Sequence, residues 1–191
     1  MKTRNTKPVN EVPKIIPRHK DTLMGLPIVL INAAYEAVHG DETGVVVPDI
    51  PALEAAIAVA RASVPTKLSG NEIRFLRKAI GMKAQDLAKF LDVTPETFSR
   101  WENDSGSPIS TNPERVFRLR VVHALRDKTP GVMAKDDVIL DMNFVPFRTT
   151  LNPVTLVFYR LAILQDGCPQ QVWHFIGTEA EETRKRLRVV A

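Results

Sequence analysis

Between Lys83 and Asn103 lies a set of side chains able to read a nucleic acid. Arg100 carries a planar guanidinium whose fork matches O6 and N7 of guanine. Glu96, four residues earlier, can accept from N4 of cytosine, and Thr97 offers its methyl to thymine or its hydroxyl to a base edge. Thr94, Ser99, Gln85 and Lys83 are candidates for phosphate contacts, and Asn103 ends the segment and counts among the DNA-contacting candidates. The competing reading of Glu96 and Arg100 is a surface ion pair at i, i+4 spacing.

For these groups to converge, the segment must be two short helices joined by a tight turn. Leu87, Ala88 and Leu91 give the first an apolar stripe, with Ala88 small enough for a second helix to cross closely. Asp92 falls where the chain must turn, and Asp tolerates a left-handed backbone. Thr94 can N-cap the next helix, with Pro95 at its first position. Phe98 and Trp101, three apart, face inward, which leaves Glu96, Thr97, Ser99 and Arg100 outward. This describes a helix-turn-helix, the bland alternative being a generic helical hairpin. The spacing of Leu87-Ala88, Val93-Thr94 and Phe98-Ser99-Arg100-Trp101-Glu102 resembles the Cro/CI-type (XRE) family of regulators.

Composition allows this and excludes other classes. The chain of 191 residues is 44% hydrophobic and 25% charged, enough to bury a core. A single cysteine, Cys168, excludes an intramolecular disulfide and a Cys-based zinc site within one chain, and fits a reducing cytoplasm. Leu23–Ala34 is apolar after a basic stretch, but Asp21 and Pro27 argue for a strand rather than a signal peptide. It is too short to span a bilayer as a helix. The net charge of +4 is localised. Residues 66–128 hold twelve basic and eight acidic residues, whereas the flanking stretches are each balanced. The positive excess therefore lies on the segment that would meet phosphates.

Taken in order, residues 1–20 are expected as a flexible basic arm. Residues 21–65 form an N-terminal β region plus helix: strands at Leu26–Ile31, Ala34–Val38 and Val45–Val47, then a helix from Ala52 to Ala62 and a linker at Ser63–Lys67. Residues 66–128 form the helix-turn-helix domain. Ser69 and Glu72 make a capping box for a helix that turns Ile73, Leu76 and Ile80 inward and ends at Gly81. A closing helix starts near Asn112-Pro113, with Thr111 and Glu114 at box spacing, Val116, Leu119 and Val122 inward, and Arg115, Arg118 and Arg120 on its other sides. Residues 132–191 form a C-terminal segment. Val138, Leu140, Met142 and Phe144 alternate as a strand would, and Thr155–Leu164 and Gln171–Ile176 flank a turn. A charged tail helix follows at Glu179–Val190. The expected fold is α+β: a small N-terminal β region with linker helix, an all-α Cro/CI-type bundle, and a C-terminal antiparallel β segment.

His19, His39, His123 and His174 lack metal-motif spacing, and no phosphate loop or nucleophile elbow occurs, so neither an enzyme, a cofactor nor a metal is expected. Across about 22–128 the chain also resembles antitoxin-like regulators of the MqsA/YgiT type. The carrying residues are Val47-Pro48-Asp49-Ile50-Pro51, Leu68 through Arg77, and Phe98 through Glu102. The cysteine pairs that hold zinc in that family are absent. Lys83-Ala84 stand where the wider XRE family has a Ser/Thr cap and a phosphate-contacting Gln, and Gln85 is one place off. The resemblance implies double-stranded DNA as partner, a palindromic operator and a homodimer. Two alternatives stay open: a protein-interaction module that neutralises a toxin, and a small-molecule sensor working through the C-terminal segment. That segment is expected to need a cover, from its own tail, the N-terminal β region or a second subunit.

Overall fold

The computed structural model of the chain describes residues 13–39, 42–103, 108–143, 154–165 and 167–183. Strands β1 (Ile15–Leu23) and β2 (Leu26–His39) form a hairpin whose turn, Met24-Gly25, has positive φ at both residues. That backbone matches the right-handed twist of paired strands. Residues 15–20 are thus not part of a flexible arm. Their charged side chains stay at the surface while their backbone groups bond to β2, and edge pairing asks nothing of side-chain polarity. The rest of the expected arm, 1–12, lies outside the described residues.

β2 is one continuous strand where two were expected. Asn32 takes a left-handed conformation, φ 50°, which re-aims the strand without ending it. Ile28, Val29 and Leu30 are all buried, so both faces of this stretch are covered. The Ala34–Val38 run therefore pairs with β3 (Glu42–Val46) and with the start of β1, not with Leu26–Ile31.

The C-terminal strands β4 (Leu156–Gln165) and β5 (Cys168–Thr178) form the expected antiparallel hairpin. They do not make a separate sheet. β4 runs parallel to β2, pairing Ile28–Ile31 with Leu156–Tyr159, and the five strands form one sheet with the order β1-β2-β4-β5, β3 pairing with β2. The N-terminal β region is therefore what flanks β4. Residues Glu179–Thr183 begin the tail helix, tied to β1 by Arg18 and Lys20 on Glu179 and by Arg18 on Glu182. The remainder of the tail, 184–191, is outside the described residues.

Helix α1 (Ile50–Ala62) is capped by Asp49, whose carboxylate accepts from the Ala52 N–H at 3.3 Å. From Ala55 to Ala62 every residue is buried, so the helix is enclosed on all sides. It packs on β4 and β5 with one flank and on α2 (Gly70–Ala79) and α5 (Thr111–Leu125) with another. Its alanines let those neighbours approach. The fold is α+β, with α1 as the layer between the sheet and the helices α2, α3 (Ala84–Phe90), α4 (Pro95–Glu102) and α5.

Another expectation fails between Asp136 and Phe144. Asp136–Leu140 is a short helix, α6, not a strand. Ile139 and Met142 are the buried residues, three apart, while Val138 and Leu140 are exposed. A short apolar run carries both periods, and docking on α5 selected the helical one. Phe144 lies outside the described residues.

Candidate nucleic-acid interface

α3, the turn and α4 form as their local signals require. Asp92 has φ 54°, the left-handed residue of the turn. Thr94 caps α4, its hydroxyl oxygen accepting the Thr97 N–H at 3.2 Å, and Pro95 occupies the first helical position. Phe98 and Trp101 are buried, ring centroids 6.2 Å apart, edge to face. Their burial fixes the rotation of α4 about its axis. Glu96, Ser99, Arg100 and Asn103 are left exposed and Thr97 half-buried.

The candidates divide by what else they hold. Arg100 and Glu96 form no ion pair with each other or with another described residue, so the surface-pair reading of the two does not apply here. Lys83 and Gln85 are also exposed, at the start of α3, and Lys83 is its N-cap without a side-chain capping bond. Thr94 is committed to its cap, and its hydroxyl lies 3.1 Å from that of Thr97. Asn103 donates to the Ser99 hydroxyl at 3.3 Å and accepts from Arg74 at 2.6 Å. Those groups shape the two ends of α4, whereas Arg100, Glu96, Lys83 and Gln85 are exposed with no side-chain partner among the described residues.

The sequence reading missed what holds α4 in place. Arg77 of α2 donates to both carboxylate oxygens of Glu102, at 2.7 and 3.3 Å, and to the Met82 carbonyl at 2.9 Å. Arg74, one turn earlier, donates to the Glu102 carbonyl at 3.1 Å as well as to Asn103. Gly70 lets the start of α2 meet the end of α4: a Cβ there would stand 2.6 Å from the Trp101 carbonyl oxygen and 2.7 Å from that of Glu102. The sequence signal was present, since Arg74 and Arg77 follow the apolar pair Ile73 and Leu76 by one residue each. Their role is not legible locally because the acceptors on Glu102 and Asn103 lie more than twenty positions along the chain.

A second cluster joins this unit to α1. Arg118, expected on the solvent side of α5, is fully buried. It donates to the carbonyls of Ala62 at 2.9 Å, Val64 at 2.7 Å and Thr66 at 2.5 Å, and to Glu114 at 2.7 Å. Arg61, also fully buried, pairs bidentately with Glu72 through Nε and Nη2 and donates to the Thr66 and Lys67 carbonyls. Glu114 accepts the Leu68 N–H at 3.1 Å and has Lys67 Nζ at 2.9 Å. It does not form a capping box with Thr111; α5 starts one residue earlier than that box requires, with Ser110 as N-cap and no side-chain capping bond. Ser63–Lys67 is thus no loose linker. Its carbonyls, with those ending α1, are gathered by two arginines that satisfy groups a helix end leaves orphaned.

Electrostatics follow from this enclosure. Burial and the neighbouring charge of Arg61 push the Arg118 guanidinium down to about 10, Glu114 opposing, so it stays charged at neutral pH. Burial works to raise the Glu72 carboxyl, but the charge and hydrogen bonds of Arg61, with the Ser69 N–H and hydroxyl, outweigh it and hold it below its usual range. The expected Ser69–Glu72 capping box is formed, and Glu72 serves it and Arg61 together.

Among the described residues no group of three or more His, Cys, Asp or Glu side chains is placed to hold a metal ion, and no helix is long and apolar enough to cross a membrane. No protein-family model, no curated protein and no solved structure matches the chain.

Proposed function

We propose that the chain is a sequence-specific DNA-binding regulator, that α2–α5 are a Cro/CI-type helix-turn-helix bundle, and that α4 lies in the major groove of double-stranded DNA. The observation that carries this reading is the state of Arg100 and Glu96. Both are exposed on a helix whose rotation is fixed by Phe98 and Trp101 and whose end is held by Arg74 and Arg77, and neither is spent on an ion pair among the described residues. A preorganised helix presenting an uncommitted guanidinium fork suits bidentate guanine recognition. Lys83 and Gln85 at the start of α3 would take phosphates, in the manner of first-helix contacts in this class of motif. The chain acts as a homodimer on a palindromic site in this reading.

The test is selection of bound duplexes from a random pool, followed by a salt titration on the enriched site. A preferred sequence and an affinity falling with salt are expected. Arg100→Ala should then cost about 1–3 kcal/mol on that site and relax one base position. A uniform loss over all sequences would reduce Arg100 to a phosphate contact, and no enrichment at all would end the proposal.

A further inference from the structure

Proteins protect the open edges of their sheets with charge, proline, short strands or a covering segment. This sheet uses all four, and one stretch has none of them. β1 carries Arg18, Lys20 and Asp21 and is approached by Lys14. β5 has Pro169 near its start, and further on its Phe175 N–H bonds the Gly131 carbonyl at 3.4 Å, a glycine packed directly on the Trp173 carbonyl. β3 is five residues long, begins at Glu42, and sets Val45 opposite Glu36.

The unprotected stretch arises from how β2 divides its partners. Tyr35 pairs with Ile15 and with Val46, so β3 and β1 lie on opposite edges of β2. β3 therefore shares an edge with β4, which pairs with β2 only at Ile28–Ile31. Continued straight, β4 would meet β3 level with Ile163. It must leave β2 after Tyr159, and from Arg160 to Gln165 it is paired with β5 on one edge and with no described strand on the other. Arg160 is folded over the Trp173 ring, 5.5 Å from its centroid. Leu161, Ala162, Ile163 and Leu164 are uncharged, and Leu161 is 39% and Leu164 79% exposed.

We infer that this edge of β4 pairs antiparallel with the same edge of a second copy of the chain across a two-fold axis. An isologous contact sets a surface against itself, so any edge dominated by one sign of charge repels its own copy. That disfavours β3, which opens on Glu42, while on β1 Arg18 and Lys20 are already taken by Glu179 and Glu182 of the tail. Residues 161–164 bring no charge to the axis. Antiparallel pairing satisfies the open N–H and C=O groups of both copies at once, and carries Leu161 and Ile163 on one face and Leu164 on the other out of water. The contact would supply the two-fold that a palindromic site calls for, and it forms without DNA.

Light scattering on the eluting full-length chain tests it. The wild type should show twice the 21.3 kDa of one chain, and Leu161→Lys/Leu164→Lys should return it to 21.3 kDa with an unchanged far-ultraviolet spectrum. Val38→Lys, at a comparably open position on the β2–β3 arm, should remain dimeric. Hydrogen exchange of the unsubstituted protein reads the edge directly: amides of residues 160–165 should slow as protein concentration rises. A monomeric wild type, a dimer that survives the double substitution, or edge amides indifferent to concentration overturns the inference. A monomer would leave the edge to a strand from a different protein.

Discussion

Arg118→Met keeps much of the side-chain stem and removes the charged fork. The Ala62 carbonyl loses its donor, those of Val64 and Thr66 are left to Arg61 and, for Val64, the Thr66 N–H, and Glu114 keeps Lys67 and the Leu68 N–H. Breaking a buried ionic contact from one side costs about 3–5 kcal/mol, and here the Glu114 charge stays out of water with Lys67 as its remaining cationic partner. Whole-domain stability is of the order of 5–15 kcal/mol, so this is a large fraction of it. For a chain of this size each kcal/mol moves the melting temperature by about 2–4 °C, giving a drop of about 6–20 °C. Urea denaturation followed by tryptophan fluorescence is a suitable assay, since Trp101 reports on α4 and Trp173 on the sheet, on either side of α1. Adding Glu114→Gln should recover part of the loss: the under-compensated buried charge is gone, but the Ala62 carbonyl is still without a donor. A loss below about 1 kcal/mol, or a double variant no better than the single, would refute the assignment of Arg118 as a clamp.

Three further outcomes are expected. Glu72 is held below its usual range when folded, so its contribution is complete above the unfolded value near about 4.3 and is lost as pH falls through the folded one; melting temperatures measured at descending pH should fall there, and Glu72→Gln should flatten that limb. Gly70→Ala drives a Cβ against two backbone oxygens at the end of α4 and should cost about 1–3 kcal/mol, with operator affinity falling alongside stability in a filter-binding assay. Asp92→Val forces a β-branched residue into the left-handed turn and should lower stability by about 1–2 kcal/mol in chemical denaturation, whereas Asp92→Gly should be tolerated without loss.

Features legible in the sequence are those whose bonding partners lie within a few residues. The Ser69–Glu72 box, the Thr94 cap with Pro95, and the left-handed Asp92 each depend on groups no more than a turn away, so residue type and offset were enough. The inward placement of Phe98 and Trp101 was legible too, because a helix with one polar face can bury only the other. From these followed the outward placement of Glu96, Ser99 and Arg100, whereas Thr97, expected outward with them, is half-buried.

Tertiary structure alone decided the rest, because the determining partner lay far along the chain. Arg118 looked like surface charge until the end of α1, more than fifty positions away, supplied carbonyls for it to bind. The bond from Arg74 to Asn103, and from Asn103 to Ser99, joins α2 to the end of α4 across twenty-nine positions, which no local pattern announces. Asp136–Leu140 had an apolar pattern compatible with either period, and packing on α5 chose between them. The parallel register of β2 with β4 joins strands over a hundred residues apart, and side-chain pattern names no partner strand, since ladder bonds are made by backbone groups every residue shares.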